Sequence, residues 1–101
     1  MNTLNEKSIV VGVDVHKYSH SAVAMNAWGK ECGRIDFSNA NLTVYIGWLS
    51  QMGEKENIIV GLEDVNSYGY HIVEKLRQES WHIRYVPAIL TERERKQSTK
   101  R

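Results

Sequence analysis

The sequence is poor in the residues that staple or stiffen a chain. It has a single cysteine, Cys32, so no disulfide can close within it and no cysteine-based zinc site can be built. A reducing, cytoplasmic setting is the expectation that follows. The one proline, Pro87, leaves residues 1–86 without a residue of locked φ. No apolar stretch reaches the length of a membrane span, and residues 1–7 lack the apolar core of a secretory signal. No low-complexity block or repeat array is present. What remains is 101 residues with 42% hydrophobic and 25% charged side chains, the composition of one small globular domain.

Charge is almost balanced, at +1, but unevenly placed. Residues 1–90 hold 8 Lys/Arg against 10 Asp/Glu, whereas residues 91–101 hold 5 against 2. This divides the chain into a domain over 1–90 and a basic tail over 91–101. Arg93, Arg95, Lys96, Lys100 and Arg101 in that tail are candidate contacts to a polyanion; a solvated helix end would carry the same charges.

Two short runs nearly repeat each other and each ends on an acid. Ile9-Val10-Val11-Gly12-Val13-Asp14 is echoed by Ile58-Ile59-Val60-Gly61-Leu62-Glu63. Continuous β-branched runs of this kind predict strands covered on both faces, as at the parallel centre of an α/β sheet. Around them, residues 18–25 alternate as a second strand, and Gly29 marks a turn into a third strand over 30–37. Leu42, Tyr45, Ile46 and Leu49 have helical spacing, with Asn39 or Asn41 as cap and Gly53 as stop. A second helix is expected to open at Asn66 or Ser67 with Tyr68, Ile72, Val73 and Leu76 inward, before a short strand over 82–86. The order β-β-β-α-β-α-β, with a right-handed crossover laying the fourth strand beside the first, is a ribonuclease H-like α/β mixed sheet with helices on its faces.

In that arrangement Asp14 and Glu63 leave the sheet at one end, on strands about 4.8 Å apart. A pair of catalytic metals sits roughly 3.5–4 Å apart, so such carboxylates can share a divalent ion. Each acid lies two residues beyond a glycine on its own face, and a position without a side chain lets a ligand approach the backbone. The alternatives are a strand-end Asp bonded to backbone amides and glycines packed under a crossing helix. Lys17 is a candidate phosphate contact, and His16 a group that could orient a nucleophile or a water; both also suit an exposed turn. Tyr68 is expected in the core, and His71 and His82 at surface or core positions.

Val11-Gly12-Val13-Asp14-Val15-His16-Lys17, then Gly61-Leu62-Glu63 with Ser67-Tyr68-Gly69, then the basic stretch from Arg93 to Lys100, together resemble the DEDD transposases. These are bacterial insertion-sequence enzymes related to the pilin-inverting recombinase. The resemblance implies a RuvC-like N-terminal domain that cuts and joins DNA with Mg²⁺ or Mn²⁺. It places the family's first and second catalytic, metal-binding acids on Asp14 and Glu63. It further implies DNA as partner, in some members a guide RNA, and a homo-oligomer in the full-length protein. The family's remaining two acids form an Asp-x-x-Asp pair after the basic segment, and the 101 residues stop at Arg101 before any such pair. The chain alone is therefore expected to be catalytically inactive. Asp64-Val65-Asn66 departs from the Thr-Gly usual before the Ser-Tyr-Gly. Two other readings compete: a non-catalytic nucleic-acid-binding or dimerisation remnant, and an actin-like or sugar-kinase-like ATP domain. Against the latter, Val15-His16-Lys17 does not suit a phosphate-cradling loop.

Overall fold

The computed structural model describes residues 5–63 and 67–85. Asp64, Val65, the candidate helix start Asn66, Pro87 and the whole basic tail lie outside them. Five strands, β1 (Ile9–Val15), β2 (Ser19–Asn26), β3 (Glu31–Ser38), β4 (Ile58–Leu62) and β5 (His82–Tyr85), form one mixed sheet in the order β3-β2-β1-β4-β5. The first three make an antiparallel meander, while β4 runs parallel to both β1 and β5. Helix α1 (Leu42–Met52) connects β3 to β4, and α2 (Tyr70–Gln78) precedes β5.

Local chemistry explains the main turns. At the β2–β3 hairpin, the Asn26 side chain accepts from the backbone N–H of both Trp28 and Lys30. Gly29 sits at φ 79°, a left-handed value that glycine adopts without strain. Ser38 caps the short 3₁₀ turn over Asn39–Asn41 by accepting from the Ala40 N–H, and Asn41 precedes α1 without a side-chain cap bond. Helix α2 ends in a Schellman motif: Trp81 N–H donates to Leu76 C=O and Ser80 N–H to Arg77 C=O, with Ser80 at φ 62° where glycine is usual. Leu76 and Trp81, which this motif brings together, are both buried.

The core lies on one side of the sheet. Val11 and Val13 of β1, Ala22 and Ala24 of β2, Phe37 of β3, and Ile58, Val60 and Leu62 of β4 pack with Tyr45 and Leu49 of α1 and Ile72, Val73 and Leu76 of α2. This corrects two expectations. Among the described residues the strands are not covered on both faces, and the helices do not divide between the faces: both pack on the same one. β1 alternates instead, with Val11 and Val13 buried and Val10, Gly12 and Asp14 exposed on the opposite side. A run of valines is compatible with either outcome, because one covered face already holds the apolar area that stabilises the strand. Tyr68 is also not a core anchor. It is 46% exposed and precedes α2, which begins at Tyr70, after the turn closed by Tyr70 N–H to Ser67 C=O.

Candidate functional site

The two echoing hexapeptides are neighbours in register. Val11 faces Val60, Gly12 faces Gly61 and Val13 faces Leu62. Asp14 and Glu63 follow directly at the same end of the two parallel strands. Asp14 is still within β1, paired with Ser21 of β2, whereas Glu63 lies one residue past β4 and is half-buried. By strand parity Asp14 shares the uncovered face of the sheet with Gly12 and Val10. Its side chain is 59% exposed.

Among the described residues nothing crowds this face at Gly12. A Cβ placed there would meet no atom within 4 Å. None of the described helices packs over this glycine, and among the described residues the room beside Asp14 is open to an approaching ligand. A strand-interior glycine costs stability relative to a β-branched residue. Gly12→Val is accordingly expected to raise the melting temperature by a few degrees, up to about 1 kcal/mol. A fall in calorimetric midpoint would show that this face is covered in solution.

His16 is exposed, as a turn residue should be, but it is not idle. Its Nε2 lies 3.2 Å from Asp14 Oδ2. Lys17 follows in the β1–β2 connection with its Nζ 5.2 Å from the centre of the Tyr18 ring. On the other side of Asp14, Ser21 Oγ donates to Asp36 Oδ1 of β3 at 2.7 Å. Asp36, Ser21 and Asp14 thus form a row across three strands on the open face, with the two acids roughly 10 Å apart across two strand spacings. Sequence reasoning passed over Asp36, although its parity with Arg34 on β3 could have placed it outward. Among the described residues no three His, Cys, Asp or Glu side chains converge closely enough to hold a metal by themselves. Arg93, Arg95, Lys96, Lys100 and Arg101 lie outside the described residues.

A hollow of about 350 Å³ opens among Asn5, Ser8, Val10, Asn26 and Trp28. It lies at the opposite end of β1 from Asp14 and takes no part in the acidic site.

A family model described as a transposase, of the DEDD type, matches residues 11–101. The chain belongs to the DEDD transposase family. No curated protein matches it. The match begins at Val11, inside the first hexapeptide, and so takes in both acids, the connection bearing His16 and Lys17, and the basic tail. Membership in this family makes a transposition-related role the frame for the acidic strand ends. Among the described residues no helix is long and apolar enough to cross a membrane.

Proposed function

We propose that this chain is the N-terminal part of a ribonuclease H-like transposase core over residues 1–90, in which Asp14 and Glu63 hold a divalent cation, Mg²⁺ or Mn²⁺, at the DNA phosphodiester to be cut and joined. One observation carries the reading: the in-register parallel pairing of β1 and β4, which sends both acids out at one end of the sheet beside the open Gly12. The residues fit the cation. Carboxylate oxygens are the donors a hard divalent ion takes, and an exposed site with two of them leaves room for the several waters that Mg²⁺ retains. When bound, the ion would supply an activated water or 3′-hydroxyl and stabilisation of the leaving oxygen.

This chain's own groups then divide the remaining work. Asp14 and Glu63 provide the negative charge that draws the cation to the strand ends. The His16 imidazole, near one Asp14 oxygen, constrains how that carboxylate turns and leaves its other oxygen for the cation. Lys17 and the basic tail (Arg93, Arg95, Lys96, Lys100 and Arg101) offset the phosphate charge of a DNA strand, a contact that weakens as salt rises. Two carboxylates leave most of the coordination of a hard divalent ion to water, so the 101 residues alone are expected to bind without turning over.

The test is a Mn²⁺ titration of ¹⁵N-labelled protein. Paramagnetic broadening should centre on residues 12–16 and 61–63, and Asp14→Asn should weaken it about tenfold, the loss of one charged ligand at roughly 1.4 kcal/mol. Broadening confined to His71 and His82, or spread evenly over the surface, would overturn the metal reading. DNA binding that persists unchanged in Asp14→Asn and without divalent ions would favour the non-catalytic remnant instead.

A further inference from the structure

His20 is the one buried imidazole among the described residues, 1% exposed on the core side of β2. Its two ring nitrogens have different partners. Nδ1 accepts the backbone N–H of His16 at 3.2 Å. Nε2 lies 2.9 Å from Asn39 Oδ1, at the start of the 3₁₀ turn that leads into α1. A backbone N–H can only donate, so Nδ1 must be unprotonated; a neutral ring then carries its proton on Nε2 and donates it to Asn39. The ring packs against Phe37, with centroids 5.3 Å apart.

The His16 amide that this nitrogen holds is two residues from Asp14, and the same His16 reaches back with its imidazole to Asp14 Oδ2. Val15 and His20 are the last pair of the β1–β2 ladder, and the connection beyond them is residues 16–18. Without the imidazole, the His16 N–H would have no acceptor from the described residues, and the connection would be tied only at its strand ends. We propose that His20 is a positioning residue for the acidic site: as the Nε2–H tautomer it ties the His16 backbone to Asn39 and so fixes how the Asp14–His16 pair is presented. This rests on reading Asp14 as a cation ligand.

Two substitutions separate the two nitrogens. His20→Asn puts an acceptor oxygen near the place of Nδ1, whereas His20→Gln keeps a donor near the place of Nε2 and loses the acceptor. In the wild type, imidazole ¹⁵N spectra should show His20 protonated at Nε2 alone, and the His16 amide should exchange slowly. His20→Gln should speed His16 exchange about tenfold and weaken Mn²⁺ binding about fivefold. His20→Asn, which regains the acceptor for the His16 N–H but not the tie to Asn39, should fall between the wild type and His20→Gln in both, a pattern that general loosening of the core would not produce. Asn39→Ala, at an exposed position, keeps the test available if both His20 variants unfold. It should also speed His16 exchange and weaken Mn²⁺ binding. Unchanged Mn²⁺ affinity in a folded His20→Gln or Asn39→Ala protein would overturn the positioning role, as would a His20 ring protonated at Nδ1. Should the wild type bind no Mn²⁺ near Asp14, the cation reading fails and the positioning role fails with it. Slow His16 exchange, lost in His20→Gln, would then show only that the tie is structural.

Discussion

Phe37→Ala should cost the fold about 3–5 kcal/mol, the range for truncating a buried aromatic. Phe37 is 5% exposed and lies in the middle of a row of rings. Its ring stacks on Tyr45 of α1 with centroids 4.2 Å apart and planes 8° from parallel, and it tilts against His20 on the other side. Tyr45 in turn stands 6.0 Å from Trp48. Removing the ring therefore leaves a cavity between β2, β3 and α1 that rigid neighbours cannot easily fill. A chain of this size is stabilised by roughly 5–15 kcal/mol in all, so the variant should be close to unfolding. In urea the midpoint should fall by about 2–3 M at an m-value of about 1.5 kcal/mol/M. Phe37→Leu, which keeps most of the volume, should lose less than half as much. A loss below about 1 kcal/mol for Phe37→Ala would show that the helix does not rest on this ring. Because Phe37 also backs His20, its removal should release the His16 amide to exchange before global unfolding.

The second large effect is alkaline. Tyr45 is buried, its hydroxyl has no hydrogen-bond partner among the described residues, and burial pushes its pKa well above the ordinary tyrosine value. The native state therefore disfavours the phenolate, while the unfolded chain ionises near pH 10. The contribution of the neutral ring is complete below about pH 10 and is lost as pH rises beyond it, at up to about 1.4 kcal/mol per pH unit. Tyr45→Phe has no such group to ionise. Urea unfolding at pH 7 and pH 12 should show the wild type losing up to about 2–3 kcal/mol more than the variant between the two. At pH 7 the variant should be at least as stable, by up to about 1 kcal/mol, since an unpaired buried hydroxyl has been removed. Equal losses with pH in both proteins would mean that the hydroxyl reaches water or a partner.

Both predictions concern the wall that supports the acidic site, and they show where a reading of residues succeeds. Leu42, Tyr45, Ile46 and Leu49 were legible as one helical face because the 3.6-residue period is written in near neighbours. All four are buried or partly buried against the core. His20, Ala22 and Ala24 were legible as one side of a strand, opposite Ser19, Ser21 and Val23, for the same reason. Tyr68 was misjudged because apolar character at a helix start says nothing about whether the helix has begun. The chain needs the 67–69 turn first, and Tyr68 is spent on it.

His20 marks a different limit. Its parity placed it on the Ala22 side, but its two partners come from positions 16 and 39, one across a tight connection and one beyond a whole strand. Neither spacing distinguishes a buried imidazole from an exposed one. Asp36 was missed for a related reason: it reaches the Asp14 row only through Ser21, on the strand between them.

The sequence by itself determined a mixed α/β chain, the β2–β3 turn, the parity of Asp14 with Gly12, and membership in the DEDD transposases. These follow from local periodicity, side-chain chemistry and a specific string of residues around Asp14 and Glu63. Only the tertiary structure decided that one face of the sheet is left open among the described residues, that His16 leans on Asp14, and that His20 holds the connection from beneath. Parity assigns residues to a common side of a strand but cannot say which side the helices will cover. That choice is made by contacts between segments distant in sequence, whose free energy no local pattern records.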